Sequence, residues 1–425
     1  MATFRAEVFQ NEFLSEGATD VHAIVSITCT GAGDAVSGGT GGAAEIIIID
    51  TSGSMSGQRV AAAKSAAMVA LDQILDGTWF AIIAGSHEAQ RIFPYPNARM
   101  ATVPMEPAAR DEAKRAIATI QAAGGTAMST WLRLADRLFQ TAPAKQRHAI
   151  LLTDGKNESE PTYALDQALA EVDGHFQCDA RGVGSAWEVG ELRKIAQKLL
   201  GTVDLITDAG GIAADFERLM RASMARGVPL AQLRVWAPQG AEVLFVRQVS
   251  PTVEDLTARR TPVNPLTGAY PTGSWADETR DYHVAVRVPS KPVGAEQLAA
   301  RVQLTVADQV VASGLVKAKW SADETLTTAI NAEVAHYTGQ AELATAIQEG
   351  LAAKAAGDEA TATVKLGRAV QLAKATGNAA TTMRLRKVVD IDNEETGTVR
   401  LRRQTSRLDE MALDTASTKT TRVRK

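Results

Sequence analysis

Short apolar runs alternate with helix-like segments through most of the first half of the chain. The clearest run is Ile46 to Ile49, four β-branched residues with no polar interruption. Such a run is typical of a strand buried on both faces of a parallel sheet. The alternation predicts a doubly wound α/β domain, mostly parallel, over residues 43–226. We predict strands at 43–49, 78–84, 89–93, 148–153, 175–183 and 202–206, and helices at 58–75, 107–121, 127–139, 163–172, 188–199 and 211–225.

On both sides of this region the pattern has the period of antiparallel strands. Residues 4–13 and 20–30 predict a β-hairpin, and the Gly- and Ser-rich stretch 31–42 predicts a linker, so that 1–40 form one segment. Within 228–318 we predict strands at 230–238, 241–249, 281–289, 299–306 and 309–316, with a proline-containing loop at 257–276. We expect the hairpin and these strands to form one β-sandwich, into which the α/β domain is inserted.

The region 321–389 predicts an alanine-rich helical hairpin. Ser321 and Glu324 form a capping-box pattern for a helix at 322–349. A second helix is expected at 359–375 and a third helical segment at 379–389.

The last segment, 390–425, is rich in charged residues and threonine and poor in apolar ones, so we expect a flexible tail or an extended arm bound to the body. Two threonine-containing stretches, 396–401 and 418–422, suggest docking of a phosphothreonine reader. A plain solvated tail is the competing interpretation, and charge-rich ends make it the more common case.

Polar residues follow directly where the isoleucine run ends. Asp50, Ser52 and Ser54 lie in the turn between that strand and the next helix. Thr126 follows two glycines at the start of another predicted helix, and Asp154 ends the apolar run 149–153. Ligands bind at the carboxyl ends of strands in open α/β sheets. Carboxylate and hydroxyl oxygens suit Mg²⁺, Mn²⁺ or Ca²⁺ rather than zinc or copper.

This order of residues resembles the metal-ion-dependent adhesion site of the von Willebrand factor type A domain family. The resemblance covers residues 43–226, under half of the chain, and the motif is matched at Asp50, Ser52, Ser54, Thr126 and Asp154. It implies a magnesium ion held by these five residues and a ligand-binding module rather than an enzyme. It also implies a protein partner whose Asp or Glu completes the coordination of the metal. Bacterial proteins that combine such a domain with a β-sandwich and a helical hairpin have a similar arrangement.

Two other interpretations of the turn compete with the metal site. Asp and Ser also favour helix N-caps, so residues 50–54 alone fit a plain capping turn, whereas Thr126 and Asp154 favour the metal site. Aspartic proteases carry a similar loop, but they need a second carboxylate of the same kind, and the chain has no second such element. Arg59, in the first turn of the following helix, is expected to face solvent or the rim of the site.

The composition of the chain argues against several classes of protein. The 425 residues carry a formal charge of −4, which argues against a protein that coats nucleic acid. The two cysteines, Cys29 and Cys178, lie in strand-like runs and are expected to be free and buried. No apolar stretch is long enough to span a membrane, and the first residues lack the apolar core of a signal peptide, so a cytoplasmic location is expected.

Two function classes follow. The first is a scaffold that binds an acidic partner through a divalent ion. The alternative is a non-catalytic subunit of an ATP-driven chelatase or chaperone-like assembly, in which the ATPase would be a separate chain because no GxxxxGK[ST] motif occurs. A hydrolase with Asp50 as nucleophile is disfavoured, because no base is placed beside that residue.

Overall fold

A computed structural model describes residues 2–33, 42–98 and 101–422. They divide into two units, of which one is Ala32–Pro229 and the other combines Met1–Gly31 with Leu230–Lys425. Residues 34–41 of the predicted linker and 423–425 of the predicted tail lie outside the described residues. No helix in the described part of the chain has both the length and the apolar character needed to cross a bilayer.

The first strands pair as the alternating pattern predicts. They are β1 (Thr3–Gln10), β2 (Phe13–Leu14) and β3 (Asp20–Thr30). β1 and β3 form an antiparallel ladder in which Phe4 lies opposite Cys29. Both cysteines of the chain are free and buried, as expected.

The unit Ala32–Pro229 has the α/β architecture that the alternating runs predict. Its strands are β4 (Ala43–Asp50), β5 (Trp79–Gly85), β6 (Ala89–Phe93), β7 (Val103–Pro104), β8 (Gln146–Thr153), β9 (Gln177–Val183) and β10 (Val203–Ile206). Its helices are α1 (Gln58–Gln73), α2 (Pro107–Ala118), α3 (Met128–Thr141), α4 (Thr162–Glu171), α5 (Val189–Lys198) and α6 (Ile212–Met224). The sheet order is β10-β9-β8-β4-β5-β6, and β7 pairs with β5.

The five strands from β10 to β5 in this order run parallel, whereas β6 and β7 run antiparallel to β5. β4 lies near the middle of the sheet, and Ile46 to Ile49 are all at most 1% exposed. The isoleucine run is therefore covered on both faces, which explains why it contains no polar residue. The element boundaries agree with the predicted ones to within a few residues.

In the other unit, mostly antiparallel strands build two sheets, and the short β2 pairs with the last of these strands in parallel. The strands after the α/β unit are β11 (Val228–Trp236), β12 (Glu242–Ser250), β13 (Glu254–Asp255), β14 (Thr261–Asn264), β15 (Thr267–Trp275), β16 (Glu278–Arg287), β17 (Glu296–Val306) and β18 (Gln309–Trp320). One sheet has the order β1-β3-β16-β12-β13, and the other has the order β14-β15-β11-β17-β18-β2. The N-terminal hairpin thus joins strands from beyond residue 228, as predicted.

The prediction of a loop at 257–276 is wrong, because most of this stretch forms the hairpin of β14 and β15. Pro265 lies in its turn, but Pro262 and Pro271 lie within the strands. Proline lacks the N–H that a sheet ladder uses, so prolines argue against a strand in sequence. Burial decides otherwise here: Tyr270 and Trp275 in β15 are 1% and 0% exposed.

The remaining elements are α7 (Glu324–Thr327), α8 (Ala332–Ala355), α9 (Glu359–Ala375), α10 (Ala379–Val388), β19 (Val389–Asn393), β20 (Thr398–Leu401) and α11 (Arg407–Ala416). The helix predicted at 322–349 is instead split. Asp323 caps the short α7 by accepting from the Thr325 amide, and Asn331 caps α8 by accepting from the Val334 amide. Two good N-cap residues within one predicted helix therefore start two helices.

The prediction of a flexible tail over 390–425 is wrong for residues up to Ala416. Val389 and Val399 of the β19–β20 hairpin and Leu413 of α11 are at most 6% exposed and belong to one apolar cluster with Leu366 and Val370 of α9. The few apolar residues of this segment therefore pack into one cluster. The low apolar content of the whole segment concealed this in the sequence.

The packing of this C-terminal segment can be tested at one of its buried residues. Replacing fully buried Leu413 with Ala is expected to lower the free energy of unfolding of the full chain by roughly 2–5 kcal/mol, because it leaves a cavity. Met383 in α10 is 65% exposed, so Met383→Ala is the control and should change it by less than about 0.5 kcal/mol. Urea unfolding followed by circular dichroism measures both. Equal effects of the two substitutions would contradict a packed C-terminal segment.

Candidate functional site

Parallel pairing of β4 with β8 brings two carboxylates to one edge of the sheet. In this ladder Ile49 lies opposite Leu152. β4 therefore ends at Asp50 where β8 ends at Thr153, and Asp154 follows directly. Both aspartates are fully buried. Their side chains lie at the carboxyl edge of the sheet, where ligands of open α/β sheets bind.

Hydrogen bonds join the turn after β4 to Asp154. The Ser52 amide donates to Asp50 Oδ1 at 2.7 Å, which fixes the first carboxylate. Ser52 Oγ lies 3.0 Å from Ser54 Oγ, and Ser54 Oγ donates to Asp154 Oδ1 at 2.6 Å. The polar groups of the turn therefore form one continuous chain between the two strand ends.

The loop before α3 is held against the same turn by its backbone. The Gly53 amide donates to Gly124 O at 2.8 Å, and the Ala123 amide donates to Thr51 O at 2.7 Å. Gly124 has φ +82°, and a methyl group there would lie 2.4 Å from His87 Nδ1. Glycine is required at this position both for its backbone conformation and for space. The loop consequently carries Thr126 to the edge where Asp50 and Asp154 lie.

Three side-chain oxygens from two different segments converge beside Gly155. A methyl group on this glycine would lie 3.3 Å from Thr126 Oγ1, 3.4 Å from Ser54 Oγ and 4.0 Å from Asp50 Oδ2. The absence of a side chain at Gly155 leaves room among these oxygens. The donors are hydroxyls and carboxylates, which hard cations prefer. All five predicted site residues thus lie together, and the donor set and the space beside Gly155 fit a divalent cation.

No group of three or more His, Cys, Asp or Glu side chains gathers as a metal site within residues 2–33, 42–98 and 101–422. A cation at the sheet edge would therefore depend on hydroxyl ligands in addition to the two aspartates. The hydroxyl-rich motif likewise implies that few negatively charged groups contact the ion directly.

The surroundings of Asp50 act on its protonation in opposite directions. Burial raises the pKa of Asp50, and the neighbouring charge of Asp154 adds to this effect. Hydrogen bonds from Ser52 and Thr153 favour the charged form and limit the rise in pKa. Thr153 Oγ1 donates to Asp50 Oδ2 at 2.5 Å. Thr153 was not identified from sequence, although a hydroxyl immediately before Asp154 at the end of β8 was a usable signal.

Arg59 contacts the site directly. Its Nη1 donates to Asp154 Oδ2 at 2.5 Å, and its side chain is 44% exposed. The expectation that Arg59 faces solvent or the rim is therefore incomplete, since its charge reaches a buried carboxylate. Both oxygens of Asp154 are bonded, one to Ser54 and one to Arg59. Asp154 is held in a single orientation as a result.

The loop after β8 supports the start of α3. Asn157 Oδ1 accepts from the Met128 amide at 2.8 Å, and Glu160 Oε1 accepts from the Ser129 amide at 3.0 Å. Ser159 Oγ accepts from the Thr126 amide at 3.0 Å. These contacts satisfy amides that the first turn of a helix leaves free. They fix the position of Thr126, and no sequence pattern indicated the pairing.

A second buried polar cluster lies at the opposite edge of the sheet. His148 Nδ1 lies 2.8 Å from Glu45 Oε2, and His148 Nε2 lies 2.9 Å from Asp179 Oδ2. Ser223 of α6 donates to Glu45 Oε1 at 2.5 Å, and Arg226 lies 3.7 Å from Asp179. The cluster ties β4, β8, β9 and the end of α6 together. Burial alone would lower the pKa of His148, but the two carboxylates outweigh it and raise that pKa.

Comparisons with known proteins identify the family of the chain. A family model of the von Willebrand factor type A domain matches residues 44–205, and a model of the von Willebrand factor type A C-terminal domain matches residues 371–417. The chain is 46% identical to a solved von Willebrand factor type A protein from Catenulispora acidiphila, with a TM-score of 0.93 over 99% of this chain and 97% of that one. The chain therefore belongs to the von Willebrand factor type A domain family, whose domains are generally protein-interaction modules.

Two further relatives are more distant. The ArnB paralog VWA2 from Sulfolobus acidocaldarius is 14% identical, with a TM-score of 0.57 over 99% of this chain and all of that one, and so shares the fold. The protein sll0103 of Synechocystis sp. is 29% identical over 220 residues. That match spans about half the length of each of the two proteins.

The cluster around His148 makes stability depend on pH. A raised pKa means that the folded state holds a proton that the unfolded state releases near its ordinary value of about 6.5. This stabilisation is complete below that pH and is lost as the pH rises through the raised pKa, by up to about 1.4 kcal/mol per pH unit. Between pH 6 and 9, the melting temperature of the wild type should fall as the pH rises, and that of His148→Gln should not show this fall.

His175→Asn is the control, because His175 is 45% exposed and lies outside this cluster. The control should keep the slope of the wild type. A wild-type slope equal to that of His148→Gln would show that His148 does not carry the extra proton.

Proposed function

We propose that the carboxyl edge of the α/β sheet binds a divalent cation and, through it, a protein partner. Ser52, Ser54 and Thr126 would offer hydroxyl ligands, and Asp50 and Asp154 would act directly or through water. Mg²⁺ is the expected ion, and Mn²⁺ or Ca²⁺ would suit the same oxygens. The observation that carries the proposal is the convergence of Ser54 Oγ, Thr126 Oγ1 and Asp50 Oδ2 beside Gly155.

The charges around the site suit an acidic partner. Asp50 and Asp154 supply two negative charges, and the guanidinium of Arg59 offsets part of the charge on Asp154. A divalent ion among mostly neutral hydroxyls would remain electrophilic. A carboxylate from an Asp or Glu of the partner would then complete the coordination of the ion. The site would therefore act in binding and would have no catalytic role. The alternative, a subunit of an ATP-driven assembly, stays a prediction from the sequence.

Thr126 gives a sharp test of metal binding because a matched pair of variants exists. Thr126→Ala removes a hydroxyl that lies beside Gly155, whereas Thr126→Ser keeps it. For Thr126→Ala we expect the affinity for Mn²⁺, measured by calorimetry, to fall roughly tenfold or more. A tenfold fall corresponds to a loss of about 1.4 kcal/mol of binding free energy. Thr126→Ser should stay within a few-fold of the wild type. Equal affinities for both variants, or no heat of binding in the wild type, would contradict the site.

Partner binding should follow metal binding. The full chain, immobilised with Mg²⁺, is expected to retain a protein from a lysate of the source organism that a chelator releases. Thr126→Ala should not retain it, because the variant lacks the same ligand. Retention that survives both the chelator and the substitution would contradict a metal-bridged contact. An ATPase as the retained protein would favour the alternative function.

A further inference from the structure

The last described residues form an extended arm that binds to the end of β12, to the loop after it and to α8. Arm here means residues 418–422, within the unit that combines Met1–Gly31 with Leu230–Lys425. The Val253 amide donates to Thr418 O at 2.8 Å, and the Thr420 amide donates to Pro251 O at 3.1 Å. A single antiparallel bridge joins Lys419 to Thr252. The backbone of the arm is thus recognised as an added strand would be.

The side chains of the arm make polar contacts along the same path. Thr420 Oγ1 donates to Val249 O at 2.7 Å. Gln340 Nε2 of α8 donates to Thr421 Oγ1 at 2.7 Å, and His336 Nε2 donates to Thr421 O at 2.7 Å. The arm contains no apolar residue from 418 to 422. These contacts therefore have the character of a bound peptide rather than of a hydrophobic core.

Arg422 ends the arm in a socket formed by Ser26, Asp281 and Tyr337. Its Nε donates to Asp281 Oδ2 at 3.0 Å, and its Nη2 donates to Asp281 Oδ1 at 3.1 Å and to Ser26 Oγ at 3.0 Å. Tyr337 OH donates to Asp281 Oδ2 at 2.6 Å. The side chain of Asp281 is 2% exposed, whereas that of Arg422 is 49% exposed. A bidentate arginine on a buried carboxylate is a strong and geometrically specific pair.

The socket is built by elements that do not depend on the arm. Ser26 and Asp281 are opposite residues of the β3–β16 ladder. Tyr337 packs with Ile24 and Val249 in a small apolar cluster under α8. A cavity of about 50 Å³ beside the socket is lined by three acids and by one base, Arg422; the acids are Glu7, Asp281 and Glu333. The socket thus has a preformed acidic surface that suits a basic peptide.

We propose that this surface is a peptide-binding site for an extended segment that carries an arginine, and that its resident ligand is the chain's own arm. The arm binds by backbone pairing and by the Arg422–Asp281 pair, so it is exchangeable and is not part of the core. A peptide of the same sequence competes with it for the socket. The arm has the advantage of being tethered, with an effective concentration on the order of millimolar.

The test uses the full chain with Arg422→Gln, which removes the anchor of the arm at a half-exposed position. The probe is a fluorescent peptide of residues 417–425, and its binding is followed by anisotropy. We expect this peptide to bind the Arg422→Gln chain at least tenfold more tightly than the wild type, whose own arm competes. A peptide with Gln in place of Arg422 keeps the other basic residues and should bind at least tenfold more weakly.

A second variant and a second measurement complete the test. In the Arg422→Gln chain, the further change Asp281→Asn should abolish peptide binding. Hydrogen exchange at the Val253 amide should rise in the Arg422→Gln chain, because the arm protects that amide. Equal peptide binding by the wild type and the Arg422→Gln chain, or binding that Asp281→Asn leaves intact, would overturn the proposal. Unchanged exchange at Val253 would also overturn it.

Discussion

The parallel register of β4 and β8 is the constraint on which the candidate site depends. Because Ile49 lies opposite Leu152, the two strands end together and leave Asp50 and Asp154 side by side at one edge. The isoleucines of β4 are buried on both faces of the sheet, but a uniform apolar run does not by itself select one register. The polar residue before the run does, because Glu45 lies opposite His148 and its carboxylate is 2.8 Å from that ring. The buried pair at one end of the strands is therefore consistent with the placement of the carboxylates at the other.

Backbone contacts bring in the third segment of the site, the loop before α3. The Gly53 amide donates to Gly124 O and the Ala123 amide donates to Thr51 O, so the turn and the loop are joined at two points. Position 124 needs glycine, because a methyl group there would clash with His87. Thr126 arrives at the edge as a consequence. The resulting set of oxygens mixes two charged groups with neutral hydroxyls. Oxygen donors of both kinds are the ligands that hard cations prefer.

Much of the α/β unit could be predicted from sequence because its signals are local. The strands have uninterrupted apolar runs, and the site residues follow directly at the ends of those runs. Arg59 and Glu45 show what could not be predicted: each contacts a residue about a hundred positions away in the chain, Asp154 and His148. The hairpin of β14 and β15 and the elements after residue 389 were missed for another reason. There the average composition, rich in proline or in charge, outweighed a few well-spaced apolar residues.

The location of a bound ion is the most direct test of this account. Crystals grown or soaked with Mn²⁺ would show an anomalous-scattering peak at the ion. We expect one peak beside Gly155, among Ser54 Oγ, Thr126 Oγ1 and Asp50 Oδ2. A fully ordered site with no peak there at millimolar Mn²⁺, or a peak only elsewhere on the chain, would contradict it.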